Sequence, residues 1–235
     1  MEIERVPKHV GIVLDGNRRF AKRLMVKPWM GHEFGYKKFE RLMEWAIEYK
    51  IDELTLYTLS VQNFFSRPKE ELNYLLSLFK REGSNFENDK RFDENNIRIN
   101  FIGRLNLFDD ELREIMKKVM EKTKNNNKLI INFAMAYGGQ EEIIDAVRKI
   151  SEQVKQGKLD INKINEEVFK NNLYLNSSPE LIIRTGGEIR TSNFLNYQAA
   201  YSEWIFLSKL WPEFEKEDFV ECLKEYSNRK RRFGR

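Results

Sequence analysis

The sequence predicts a single-domain α/β protein built on a mostly parallel β-sheet flanked by helices. Three observations carry that expectation. Short apolar runs alternate along the chain with segments whose apolar residues recur every three to four positions. No repeat, Ser/Gly-rich linker or low-complexity tract interrupts the 235 residues, a length one core accommodates. Strands joined through helical crossovers run parallel, with helices covering both sheet faces. The domain is therefore expected to span residues 1–235.

Each element has its own signal. His9-Val10-Gly11-Ile12-Val13-Leu14 is an apolar run that ends at Asp15, and Phe39, Leu42, Met43, Ala46 and Ile47 follow at helical spacing. Leu54-Thr55-Leu56-Tyr57-Thr58-Leu59 reads as the second strand. Leu72, Leu75, Leu76 and Phe79 mark the next helix, with Ser66 as its expected N-cap and Pro68 in its first turn. Ile97-Arg98-Ile99-Asn100-Phe101-Ile102 alternates as a strand does, and Leu112, Ile115, Met116, Val119 and Met120 form a helical stripe. Leu129-Ile130-Ile131-Asn132-Phe133-Ala134 is the fourth strand; Ile143, Ile144, Val147, Ile150 and Val154 are the helix behind it. Leu181-Ile182-Ile183 is a short strand ending at Arg184, and Phe219, Leu223 and Tyr226 lie on a last helix. Residues 81–96 stand apart. Only Phe86 and Phe92 are apolar there, and Gly83 weakens a helix.

Composition removes several classes. The chain is 41% hydrophobic and 33% charged, too apolar for disorder and too polar for a membrane bundle. No run reaches the ~18 apolar residues of a spanning helix, and Met1-Glu2-Ile3-Glu4-Arg5 lacks a signal peptide's apolar stretch. One cysteine, Cys222, forms no internal disulfide, and two histidines cannot build a histidine-rich zinc site. A reducing, cytoplasmic setting is expected. The net charge of +4 is too small to argue for nucleic acid, although residues 229–235 concentrate basic side chains.

Parallel sheets bind ligands beyond the carboxyl ends of their strands. Those ends fall at Asp15-Gly16-Asn17, Ser60-Val61-Gln62-Asn63, Tyr137-Gly138-Gly139 and Arg184-Thr185-Gly186-Gly187. Asp15-Gly16-Asn17-Arg18-Arg19 opens a helix, where unpaired N–H groups and two arginines favour a phosphate. A carboxylate beside a phosphate makes chemical sense with Mg²⁺ between them; an aspartate capping an ordinary turn is the plainer alternative. A phosphatase with Asp-x-Asp after its first strand would need a nucleophile at Val13, which has none. The segment from Arg184 to Asn193 brackets two glycines with Arg184 and Arg190 and adds Thr191 and Ser192, a set suited to diphosphate oxygens. Two anion sites and one carboxylate suggest a two-substrate reaction on diphosphates.

These stretches occur in order with Gly31-His32, Asn63-Phe64, Asn132-Phe133-Ala134-Met135-Ala136-Tyr137-Gly138-Gly139, Ser192-Asn193-Phe194-Leu195, Ala200-Tyr201-Ser202-Glu203 and Arg231-Arg232-Phe233-Gly234. Together they resemble the cis-prenyltransferases of the undecaprenyl diphosphate synthase family, over residues 9–234. The resemblance implies a homodimer that extends an allylic diphosphate, farnesyl or geranylgeranyl, with isopentenyl diphosphate, using Mg²⁺, to give a polyprenyl diphosphate for glycosyl-carrier lipids. It implies Asp15 as the essential metal-linked aspartate and Glu203 as the second metal carboxylate. Gly16, Asn17, Arg18 and Arg19, with His32 nearby, match the allylic diphosphate cradle. Ser60, Val61 and Gln62 match the loop beside the reacting carbons, Asn63 the residue linked with proton removal, and Phe64 and Arg67 the rest of that motif.

Arg184, Arg190, Thr191 and Ser192 match the isopentenyl diphosphate site. Arg232 and Gly234 match an element that reaches the partner subunit's site. Transient membrane contact during product release is a further expectation. Departures are Lys27 where relatives place an arginine, Phe20 and Phe64 where tryptophan is common, Gln62 for glutamate and Gln140 for arginine. The aromatic changes and Lys27-Pro28-Trp29 look like archaeal relatives. In residues 81–96 relatives carry an apolar tunnel-wall helix that this sequence does not display. A short-chain or branched-product enzyme and a non-catalytic partner subunit are the alternatives.

Overall fold

The computed structural model describes residues 3–229. Six strands make one sheet in the order β3-β4-β2-β1-β5-β6, and every neighbouring pair is parallel. β1 spans His9–Val13, β2 Glu53–Ser60, β3 Ile97–Ile102, β4 Leu129–Tyr137, β5 Leu181–Arg184 and β6 Glu203–Phe206. The chain leaves β1 for one side of the sheet and later returns to its other side with β5, so strand order reverses between β1 and β5. Side chains on a strand alternate between faces, and both faces here are covered. Val10, Ile12, Leu181 and Ile183 enter one core, whereas Val13 and Ile182 enter a second on the opposite face.

The first face carries α2 (Gly31–Glu48) and α9 (Lys216–Asn228), whose Phe39, Leu42, Trp45, Phe219 and Leu223 pack into that core. Helix α1 (Asn17–Arg23) follows β1 directly, and α3 (Val61–Ser66) follows β2. Helices α4 (Lys69–Asn88) and α6 (Asp110–Thr123) meet through a third cluster containing Leu75, Leu78, Leu112 and Met116. Helix α5 (Lys90–Glu94) is one short turn between α4 and β3. On the second face, α7 (Gly139–Lys155) is tied down by its buried Glu142, which accepts from the Tyr137 hydroxyl, Gln198 and the backbone of Tyr174 and Leu175. Helix α8 (Glu166–Asn172) completes the set.

Three expectations change. Ser66 does not cap a helix but ends one: Ser60 is the N-cap of α3, accepting from the Asn63 N–H at 3.0 Å. Arg67 is extended because Pro68 follows it, and α4 starts at Lys69. β6 was not legible, being four residues with only Ile205 fully buried. Residues 81–88 continue α4 without a break. Gly83 sits where α4 crosses α6, and a Cβ there would come within 2.7 Å of Ile115. The glycine therefore permits close helix packing, while Phe86 and Phe92 are buried in the main core.

Helix α2 approaches α1 more closely still. A Cβ on Gly31 would lie 2.0 Å from the Asn17 carbonyl oxygen, a backbone atom that cannot turn aside. Gly31→Ala is expected to lower stability by about 3 kcal/mol, the upper end of overpacking costs, despite alanine's higher helix propensity. Equilibrium denaturation checks this, and an unchanged midpoint would contradict the packing described.

Candidate active site

The reversal of strand order sets the position. Val13 of β1 is paired with Arg184 of β5, so the loops after these strands meet at the point where parallel sheets bind ligands. Asp15 lies two residues past Val13, and Gly16 turns the chain at φ 116°, into a space where a Cβ would touch the Leu210 backbone at 2.9 Å. The Asp15 carboxylate is clasped by two guanidinium groups, Arg19 Nη2 at 2.9 Å and Arg184 Nη2 at 3.0 Å. Arg19 also donates to the Gly186 carbonyl at 2.5 Å. Arg184 donates to the Arg190 carbonyl at 2.5 Å and Ser192 Oγ at 2.6 Å. Helix α1 has only seven residues, so most positive charge here comes from arginine side chains rather than a helix dipole.

Two polar atoms in this cluster lack partners. Arg184 is 3% exposed, and its Nε makes no hydrogen bond; neither does the buried Asn17 Oδ1. Buried polar groups are nearly always satisfied, so such orphans mark a place that something else completes.

A second charged cluster borders the first. Glu71 on α4 is buried, with Arg67 Nη1 at 2.6 Å, Arg18 Nε at 3.6 Å and His32 Nε2 at 3.7 Å from its carboxylate. His32 Nε2 also lies 2.9 Å from Arg67 Nη1. Burial lowers the His32 pKa, which favours the neutral ring. His32, then Arg67 and Arg18, hold the Glu71 carboxyl below the usual carboxylate range. Glu71 thereby joins α4 to the Arg18 end of α1.

Both clusters open on one cavity of about 1090 Å³. Its mouth carries Asp15, Gly16, Asn17, Arg18, Arg19, His32, Ser60, Gln62, Asn63, Arg67, Arg184, Arg190 and Ser192. Its depth is hydrocarbon and aromatic: Phe39 from α2, Leu75, Leu78, Phe79 and Phe86 from α4, Leu112 and Met116 from α6, and Phe101, Phe133 and Met135 from the sheet. An anion cradle thus continues into a long apolar chamber.

Other expected residues fall outside that lining. Val61 is buried at the start of α3, Phe64 packs edge-on against Phe108, and Phe20 packs against Phe34. Lys27 is exposed with its ammonium over Trp29, and Thr191 is exposed. Arg232 and Gly234 lie outside the described residues. Glu203, expected as the second metal carboxylate, is not brought beside Asp15 within one chain. It is paired with Leu181 at the start of β5, three residues before Arg184, and its carboxylate binds Arg229 at 2.7 Å. The strand rise places that start roughly 10 Å from the end where Asp15 sits. Among the described residues no cluster of three or more acidic, histidine or cysteine side chains gathers.

Sequence reasoning missed Glu71 and Glu141. Glu71 follows Arg67 by four residues, the spacing of a helical ion pair, and was available as a signal. Glu141 accepts from Gln62 at 3.0 Å and Asn193 at 2.8 Å, linking α3, α7 and the loop after β5. Nothing in its local sequence announces that.

A parallel sheet with a carboxylate–arginine cradle feeding an apolar chamber defines a protein that holds a charged head group and a hydrocarbon tail together. The family model described as "Putative undecaprenyl diphosphate synthase" matches residues 13–234, and the chain belongs to that family of prenyltransferases. It is 45% identical over 232 residues to a protein of Pyrococcus horikoshii named tritrans,polycis-undecaprenyl-diphosphate synthase (geranylgeranyl-diphosphate specific), covering 98% of this chain and 88% of that one. It is 41% identical over 242 residues to an isoprenyl transferase of Thermus thermophilus, covering 100% and 92%. The crystal structure of lavandulyl diphosphate synthase from Lavandula x intermedia, in complex with dimethylallyl diphosphate, superposes with a TM-score of 0.92 at 32% identity, covering 98% and 99%.

The Glu71 cluster makes an acid-sensitive joint. Glu71→Gln leaves Arg67 buried without its counter-charge and is expected to cost about 3 kcal/mol at neutral pH. Because the folded pKa of Glu71 is depressed, its contribution is complete above the unfolded value of about 4.3 and is lost as pH falls through the folded value. Denaturation at a series of pH values should show the two proteins converging only in acid. A constant gap down to strong acid would refute the assignment.

Proposed function

We propose that this chain, as one domain over residues 1–235, condenses isopentenyl diphosphate with an allylic diphosphate to give a polyprenyl diphosphate of the glycosyl-carrier lipid type. The observation that carries the reading is the continuity of the arginine cradle with an apolar cavity of about 1090 Å³. A diphosphate belongs at the mouth and its isoprenoid tail in the depth. The archaeal relative's name supports geranylgeranyl diphosphate as the primer.

In this reading Arg18, Arg19 and Asn17 bind the primer diphosphate, while Arg184, Arg190 and Ser192 bind isopentenyl diphosphate. The donor set suits Mg²⁺: Asp15 offers hard carboxylate oxygens beside an anion site, and Mg²⁺ favours one or two carboxylates together with substrate phosphates. When bound, Mg²⁺ would stabilise the charge that develops on the departing diphosphate. The arginines aimed at the same place add to that stabilisation. The apolar wall keeps water from an allylic cation. Asn63, on the rim of the cavity, orients the second substrate. A neutral amide is a poor base, so the C2 proton passes to diphosphate.

The homodimer, with Arg232 and Gly234 reaching the partner's site, belongs to the same proposal. So do a cytoplasmic setting and brief membrane contact at product release. No helix among the described residues is long and apolar enough to cross a membrane.

Incubation with labelled isopentenyl diphosphate and a panel of allylic primers, followed by product sizing, tests the reading. Long products from geranylgeranyl diphosphate are expected; branched products, single additions or no turnover would each reject it. Asp15→Ala should lower kcat by at least about 10²-fold without loss of fold, read by steady-state kinetics and circular dichroism. Arg190→Ala should raise KM for isopentenyl diphosphate about 10–150-fold, the scale of a charge-assisted hydrogen bond, and leave the primer's KM nearly unchanged. Arg190 is the cleaner probe because Arg184 also supports Asp15.

A further inference from the structure

Helix α7 opens on Gly138, which has no side chain to cap it. The loop after β5 supplies the cap instead: Asn193 Oδ1 accepts from the Gln140 N–H at 2.9 Å. The Asn193 carbonyl accepts from the Gly139 N–H at 2.7 Å. A backbone N–H can only donate, so the first bond fixes the orientation of the Asn193 amide and leaves its nitrogen free for another partner. That nitrogen donates to Glu141 Oε2 at 2.8 Å. The other carboxylate oxygen, Oε1, accepts from Gln62 Nε2 of α3 at 3.0 Å. One carboxylate in the first turn of α7 thus fastens two other pieces of chain. Gly138 makes the room, since a Cβ there would lie 2.1 Å from Glu141 Oε2 and 2.7 Å from Asn193 Nδ2.

Both fastened pieces carry residues of the cavity mouth. Gln62 precedes Asn63 in α3, and Asn193 follows Arg190, Thr191 and Ser192 in the loop. Gln62, Asn63, Arg190, Ser192 and Asn193 all line the mouth, whereas Glu141 stands behind them. The loop needs outside support. Ser192 and Asn193 hold φ of 51° and 64°, left-handed backbone that is uncommon in residues bearing a side chain. Helix α3 has only six residues, too few to hold itself. It is held by the Ser60 cap, by the buried Val61 and by the bond from Gln62 to Glu141.

We infer that Glu141 is a positioning residue that keeps Asn63 in register with Arg190 and Ser192, so that both ends of isopentenyl diphosphate are held at once. The inference rests on the proposed condensation. In that reading the diphosphate end meets Arg190 and Ser192, and the reacting end lies beside Asn63. A misplacement of about 1 Å between such groups costs up to about 10²-fold in rate. Arg184 grips the loop through the Arg190 carbonyl and Ser192 Oγ. Glu141 grips its far end and ties it to α3. The carboxylate acts only through Gln62 and Asn193, not on the substrate itself.

The experiment is steady-state kinetics in both substrates, with circular dichroism to check the fold. The proteins are the wild type, Glu141→Ala, Gln62→Glu, and Gln62→Glu combined with Glu141→Gln. Glu141→Ala releases both ties. It should raise the KM for isopentenyl diphosphate and lower kcat, each about 3–10-fold, the scale of one hydrogen bond open to solvent, while the primer's KM holds. Gln62→Glu sets two carboxylates against each other and should lower kcat/KM by a similar factor. Adding Glu141→Gln exchanges donor and acceptor: the new carboxylate accepts from the new amide, whose oxygen still accepts from Asn193. The double variant should therefore regain most of the loss, a rescue that neither direct substrate binding by Gln62 nor a general packing role for Glu141 predicts. If Glu141→Ala does not fold, the two Gln62→Glu proteins decide. A double variant no better than Gln62→Glu alone would overturn the tie and leave the proposed function standing. So would a folded Glu141→Ala with wild-type kinetics, or with a defect only in the primer's KM. A wild type that condenses no isopentenyl diphosphate would overturn that function and the tie with it.

Discussion

The bridging of one carboxylate by two arginines organises this protein's active end. Asp15 comes from the loop after β1, Arg19 from α1 and Arg184 from β5. Each arginine carries the connection onward, Arg19 to the Gly186 carbonyl and Arg184 to Ser192 and the Arg190 carbonyl. One small group of ions therefore shapes both expected diphosphate sites. The Asp15 backbone takes part too, its carbonyl accepting from Thr185 Oγ1 and from the Trp211 N–H. Moving Asp15 would disturb three loops at once, which makes the cradle rigid before any ligand arrives.

Around this cradle the cavity wall divides its work. The sheet and α2 supply fixed apolar surface from the main core. Helix α4 anchors Arg18 and Arg67 at the mouth through its buried Glu71 and then lines the cavity with Leu75, Leu78, Phe79 and Phe86. Gly83 allows that helix to lie against α6. The same helix thus touches the charged mouth and the aromatic floor, coupling head-group recognition to tail accommodation.

Residues with short-range signals were the legible ones. Five of the six strands, the Asp15 and Arg184 loops and the helices with apolar stripes could be read because apolar periodicity and Gly-bearing turns act locally. Helix α3 was hidden because Ser60, Gln62 and Asn63 look like loop residues, although Ser60 is a competent N-cap. The end of α4 was hidden because Gly83 and its polar neighbours suppress the stripe. Its helix survives through burial of Phe86 and contact with α6, which outweigh propensity.

The sequence by itself determined the strand-helix alternation, the chemistry of the Asp15 and Arg184 loops, and the family to which they belong, since these depend on residue type and spacing. Only the tertiary structure decided which loops face one another. The return of β5 beside β1 paired Asp15 with Arg184, and the β6 register set Glu203 at the far end of the same strands. It likewise brought Glu71 under Arg18. Those pairings join residues brought together by sheet order and helix crossing, and no local pattern encodes a distance between elements far apart in the chain.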